Sequence, residues 1–219
     1  MKYYFRYVLQ LVVFTWISSA YAGSYDDYFK AIQVDDAAAV STILTRGLDP
    51  NTPGPKGDHP LILALQSGAV KSAAVLLSHS SIQLDVRTAH DESPLMLAAL
   101  NGYTDICKTL IVRGADVNKP GWTPLHYAAT AGSISIIRLL LDQHAYIDAA
   151  SPNGTTPLMM AARYANGAAV TLLLEAGADP LLKNSLDMTA IDFAQSNNRT
   201  DATAAIAAAI RAQRPKGTW

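Results

Sequence analysis

Cysteine occurs once in the 219 residues, at Cys107, which excludes an internal disulfide framework and any site built from several thiolates. Neither sign of charge is in excess: 17 Lys and Arg stand against 18 Asp and Glu, so there is no broad cationic field of the kind that holds nucleic-acid phosphates. Half the residues are apolar and only 16% are charged, enough for a sizeable core and too apolar for a disordered chain. No stretch beyond residue 22 approaches the roughly 20 apolar residues that span a bilayer. Catalytic signatures are scarce too. The chain has no Gly-x-Ser-x-Gly elbow, no phosphate-cradling Gly-rich loop, no His-Glu-x-x-His helix and no paired Cys motif. No cofactor, metal or enzymatic activity is therefore expected, and no nucleic-acid partner.

What is present begins with an address. Lys2 and Arg6 precede a mostly apolar run from Val8 to Ile17, and Ser18-Ser19-Ala20-Tyr21-Ala22-Gly23 follows as a small-x-small cleavage sequence. This pattern predicts a secretory signal cut between Ala22 and Gly23, since the apolar run is too short for a membrane anchor. Cleavage leaves 15 basic and 18 acidic residues, a formal charge of −3. No cysteine stands at the cut to accept a lipid, so an exported chain without a membrane anchor is expected, in the periplasm or secreted.

The remainder repeats. Pro60-Leu61-Ile62-Leu63-Ala64, Pro94-Leu95-Met96-Leu97-Ala98-Ala99, Pro124-Leu125-His126-Tyr127-Ala128-Ala129, Pro157-Leu158-Met159-Met160-Ala161-Ala162 and Ala190-Ile191-Asp192-Phe193-Ala194 recur at intervals of 34, 30, 33 and 33 residues. A second apolar segment ends near Leu76-Leu77, Leu110-Ile111, Leu139-Leu140-Leu141 and Leu172-Leu173-Leu174, and Gly-Ala-Asp turns follow at 114–116 and 177–179. Proline at a first helical turn gives up an amide that lacks a partner there anyway, and the preceding Thr or Ser caps the helix through its hydroxyl. The 30-residue interval predicts a connection about three residues short across Val117-Asn118-Lys119-Pro120-Gly121-Trp122-Thr123.

A period near 33 with Thr123-Pro124-Leu125-His126-Tyr127-Ala128-Ala129 at its centre resembles the ankyrin-repeat family, over about residues 25–212. The resemblance implies an all-α solenoid of stacked helix-turn-helix units with hairpin fingers. One unit cannot bury its apolar face alone, so the terminal units are expected to differ from the rest. The expected organisation is a signal peptide at 1–22, an amino-terminal capping unit at 23–56, repeats at 57–189, a degenerate carboxy-terminal cap at 190–214 and a flexible tail at 215–219. A monomer is expected.

Individual polar residues read mainly as scaffold. His126 is the family's consensus histidine, expected to bond nearby backbone, and His144 stands where Gly is usual. His90-Asp91-Glu92 is a turn tip, and adjacent turn residues seldom present three ligands to one ion. Cys107 is expected to be a buried, inert thiol.

The resemblance also implies a concave surface, made of finger tips and the ends of first helices, that engages another protein. The residues expected there are Trp122, Arg163, Tyr164, Leu100, Asn101, Glu92, His90, Lys119 and Met188. Trp, Tyr and Arg dominate interface hot spots, which singles out Trp122, Arg163 and Tyr164. The chain is similar to small exported bacterial ankyrin proteins, and the expected function is a non-enzymatic periplasmic binding module, accessory to or protective of an envelope or stress-response enzyme. An immunity or inhibitor protein against a toxin enzyme and a secreted effector acting on host proteins are the alternatives.

Overall fold

The computed structural model describes residues 25–213, so the signal peptide expected at 1–22, its expected cut between Ala22 and Gly23 and the tail expected at 215–219 lie outside the described residues. The described residues form twelve helices and no strand, in two compact units divided between Ile82 and Gln83.

The first unit contains α1 (residues 25–33), α2 (Ala37–Thr45), α3 (Pro60–Gln66) and α4 (Val70–Ser78). Tyr28, Phe29, Ile32, Val40, Leu61, Leu65, Leu76 and Leu77 form its core. Asp35 takes the left-handed conformation between α1 and α2, with φ of 55°, and its carboxylate accepts from the Ser72 N–H at 2.8 Å at the start of α4. That bond satisfies one of the unpaired amides every helix start exposes. His59 replaces the usual cap hydroxyl: its Nδ1 accepts from the Leu61 N–H at 3.2 Å, while Nε2 donates to Asn51 Oδ1 at 3.1 Å.

In the second unit, short first helices alternate with second helices. The first helices are α5 (Pro94–Leu100), α7 (Pro124–Ala131), α9 (Pro157–Tyr164) and α11 (Ala190–Ser196); the second are α6 (Thr104–Val112), α8 (Ile134–Asp142), α10 (Gly167–Glu175) and α12 (Thr200–Gln213). First helices pack side by side on first helices and second on second, giving two layers. The core between them holds Leu95, Ile106, Leu110, Leu125, Ile136, Ile137, Leu140, Leu158, Val170, Leu173 and Ile206. Ala98-Ala99, Ala128-Ala129 and Ala161-Ala162 are fully buried, and their small side chains permit the close approach. Cys107 is fully buried too, and that burial pushes its thiol up to about 12, which makes it unreactive at neutral pH.

The helix starts follow one plan with substituted parts. The hydroxyl oxygens of Ser93 and Thr156 accept from the N–H three residues on, at 3.2 and 3.4 Å. The side chain at that third position reaches back to the cap's own N–H: His126 Nδ1 to Thr123 at 3.1 Å, Asp192 to Thr189 at 2.7 Å, and the sulfurs of Met96 and Met159 to Ser93 and Thr156. These reciprocal bonds make up a capping box.

Each repeat is tied to the next by a polar ladder at the start of its finger. Asp85 accepts from the Asp116 N–H at 3.0 Å, Asn118 from Tyr146 at 2.8 Å, and Asp148 from Asp179 at 3.1 Å. Fingers close by a bond from the N–H of one residue to the carbonyl four positions on, as in Thr88 to Glu92, Ser151 to Thr155 and Asn184 to Met188. Counted to the first-helix start from the ladder acceptors Asp85, Asn118 and Asp148 and from Leu181, which holds the same position in the last finger, the fingers span 9, 6, 9 and 9 positions. The finger at Val117–Thr123 is thus three positions shorter than each of the other three, as its 30-residue interval predicts. His144 adopts φ of 60° at the end of α8, the conformation the family's Gly supplies there.

Candidate functional site

The site grows from four positions of the repeat. Two residues before each first helix stand Glu92 or its equivalents Trp122, Thr155 and Met188; four residues into the helix come Leu97, Tyr127, Met160 and Phe193. At the helix end come Leu100, Thr130, Arg163 and Ser196, followed by Asn101, Ala131, Tyr164 and Asn197. Because first helices lie side by side, these positions become rows across the unit, and their bulky members enclose two adjoining open cavities.

The smaller cavity, about 260 Å³, is lined by Leu100, Trp122, His126, Tyr127, Thr130 and Met160. The larger, about 370 Å³, is lined by Trp122, Met160, Arg163, Tyr164, Leu186, Met188, Phe193 and the polar residues Asn153, Thr155, Asn184, Ser196 and Asn197. Trp122 and Met160 border both and make one groove of them. The Trp122 and His126 rings meet edge to face at 5.1 Å between centroids, so the buried imidazole holds one side of the indole while the indole also lines the groove.

His126 is fully buried, donates from Nε2 to the Thr155 carbonyl at 2.9 Å and accepts at Nδ1 from the Thr123 N–H. Burial pulls its pKa down to about 4, against the opposing effect of the Thr155 carbonyl, so the ring is neutral near pH 7. Tyr127 donates its hydroxyl to Glu92 Oε1 at 3.1 Å; burial first, then the Glu92 charge, raises its pKa. The Arg163 guanidinium stacks over the Tyr164 ring, 5.0 Å from its centroid. Tyr164 is 49% exposed and Leu186 72%, so a large apolar surface faces outward here.

Of the residues expected on the concave surface, Trp122, Arg163, Tyr164, Leu100 and Met188 converge on the groove. The other four line neither cavity. Lys119 is 7% exposed and turned inward to pair with Asp91, whose carboxyl that bond holds below its usual range. Glu92 is half-buried and occupied by Tyr127 and Thr88. Asn101 donates to the Leu97 carbonyl at 2.9 Å and so ends α5. His90 is exposed at its finger tip. Met160, Tyr127 and Phe193 belong to the groove without having been singled out; the signal was the row of bulky residues recurring three positions after each helix start. Among the described residues no group of three His, Cys, Asp or Glu is placed to hold a metal, and no helix is long and apolar enough to cross a membrane.

A groove across stacked helical units, apolar at one end and lined by an arginine and polar side chains at the other, with aromatic residues between, has the character of a protein–protein contact surface. The model for ankyrin repeats (3 copies) matches residues 29–120 and 115–184, and the chain belongs to the ankyrin-repeat family, whose repeats are modules that bind other proteins. It is 32% identical over 177 residues to neurogenic locus notch homolog protein 1 of Xenopus laevis, covering 73% of this chain, and 34% identical over 148 residues to the human notch homolog protein 4, covering 60%. The match spans only 7% of the length of either relative. Among solved structures, an ankyrin repeat domain from Acinetobacter baumannii shares the fold with a TM-score of 0.71 at 24% identity, over 83% of this chain and 96% of that one. A chain from the complex of a Bdellovibrio bacteriovorus predatory endopeptidase with an immunity protein aligns with a TM-score of 0.72 at 28% identity, over 83% of this chain and 97% of that one.

Proposed function

We propose that this protein is an exported, non-enzymatic binding module that holds one partner protein in the groove bordered by Trp122 and Met160. The observation that carries this reading is the convergence of Trp122, Arg163, Tyr164, Leu100 and Met188 on that groove, at positions the repeat does not need for its own core. The groove's one imidazole, His126, is buried and committed to backbone at both nitrogens, which removes it as a general base. The signal pattern at residues 1–22 supports action in the periplasm, as an accessory or protective factor for an envelope or stress-response enzyme.

A second reading is favoured by the likeness to a chain from an endopeptidase–immunity complex: this protein occludes the active site of a toxin enzyme. A formal charge of −3 after cleavage suits steering toward a cationic partner.

The test is affinity capture with the processed protein from the periplasm of its source cells, followed by mass spectrometry, beside a variant carrying Trp122→Ala, Arg163→Ala and Tyr164→Ala. One enzyme recovered with the wild type and lost with a normally helical triple variant is the expected result. Equal recovery by both places the contact elsewhere and overturns the assignment of the groove.

A further inference from the structure

The two cavities differ in charge and in hydrogen-bonding character. Every side chain lining the smaller one is uncharged, and its volume of about 260 Å³ falls below the ~300–1,000 Å³ of small-molecule sites. It has room for one large side chain. The larger cavity contains a single charged side chain, Arg163. Among the described residues no carboxylate forms an ion pair with that guanidinium, whereas Lys119, Lys108, Arg87 and Lys183 each have an acidic partner.

The amides beside Arg163 are biased in the same sense. Asn184 Oδ1 accepts from the N–H groups of Leu186 and Met188, at 3.0 and 3.1 Å, and Asn153 Oδ1 accepts from Ser151 Oγ and the Thr155 N–H. Their oxygens are used, which leaves their NH₂ groups as donors. Asn197 is the reverse, since its NH₂ serves the Phe193 carbonyl at 2.9 Å. The balance is rich in donors. A carboxylate, which only accepts and carries the opposite charge, is its complement, and a planar guanidinium binds carboxylates through two parallel bonds.

We propose that the groove recognises an extended segment of its partner in which one bulky apolar side chain fills the space between Leu100, Trp122, Tyr127 and Met160 while a nearby Asp or Glu side chain pairs with Arg163. This rests on the reading of the groove as a protein-binding site. Trp122 and Met160 border both cavities, so one short segment reaches the two at once. Tyr164 keeps the guanidinium over its ring and lowers the cost of ordering it. Apolar anchor and carboxylate then divide the work, the first supplying affinity and the second register and selectivity.

The experiment pans the purified protein against a displayed library of short random peptides, with both free and amidated carboxy termini, and measures affinities of the enriched peptides for wild type, Trp122→Ala, Arg163→Gln and Arg163→Glu. Circular dichroism checks that each variant remains folded. The expected peptides share a bulky apolar residue a few positions from Asp or Glu. Arg163→Gln weakens them by about tenfold, and Arg163→Glu recovers binding when the peptide's acidic residue becomes Lys. Peptides that depend on Trp122 but are indifferent to Arg163, or that bind only through a free carboxy terminus, overturn this proposal while leaving the groove as the binding site. Binding that survives Trp122→Ala, or no enrichment at all, overturns the groove and the proposal together.

Discussion

His126 is buried with both ring nitrogens occupied, and that fixes its charge. Nε2 must carry the proton to donate to Thr155, and Nδ1 must be bare to accept from Thr123. A second proton would bury a cation, and that burial is why the folded pKa falls to about 4 from an ordinary 6.5. The unfolded chain therefore binds a proton between those values and the folded chain does not, so stability is full above about pH 6.5 and is lost as pH falls toward 4. The difference is about 3 kcal/mol for His126. His59, pulled by burial to about 4 in the first unit, acts in the same window, whereas the carboxylates held low, Asp91 and Asp192 among them, act below their ordinary 3.8. Denaturant melts between pH 7 and 5 should show stability falling with pH. His126→Gln should lower stability at pH 7 by about 1–2 kcal/mol and make the slope shallower, because one of two titrating rings is gone. An unchanged slope in that variant would mean that His126 is not held neutral.

The fingers are the elements whose shape the groove depends on. Gly154 turns its finger with φ of 76°, and a Cβ added there would lie 3.2 Å from Asn184 Cα in the next finger, where Ser185 N–H also donates to the Asn153 carbonyl at 2.9 Å. Asp91 and Asp187 hold the same finger position with φ of 62° and 57°, so the turn itself tolerates a side chain; the close approach of backbone to backbone does not. Gly154→Ala is expected to lower stability by about 1–2 kcal/mol, read as a fall in the thermal midpoint. It should also weaken any ligand of the larger cavity, since Asn153 and Asn184 line it. Helices and caps were legible in the sequence, because Pro at a first turn, a hydroxyl before it and an apolar spacing each act within a few residues. His144 at the end of α8 was legible as a Gly substitute for the same reason. Lys119 was not: its pairing with Asp91 joins residues 28 positions apart, and a basic residue at a finger tip reads equally well as facing outward.

At the scale of the molecule, stability is approximately a sum over units and the contacts between neighbours, while binding is a property of rows that cross units. The repeat period made the fold readable, since one pattern recurs at every unit. It made only half the candidate site readable. Trp122, Arg163, Tyr164, Leu100 and Met188 depart from the repeat and so stand out, but Met160, Tyr127 and Phe193 occupy a row that also serves packing and were hidden by it. Placing a photo-crosslinking amino acid in place of Leu186, at the margin of the groove, and separately in place of Arg138, exposed on α8 in the layer of second helices, tests the central claim directly in the cells that make the protein. An adduct with a single partner protein from position 186, absent from position 138, is the result the groove predicts. An adduct from position 138 with none from 186 would place the binding surface on the second helices and contradict it.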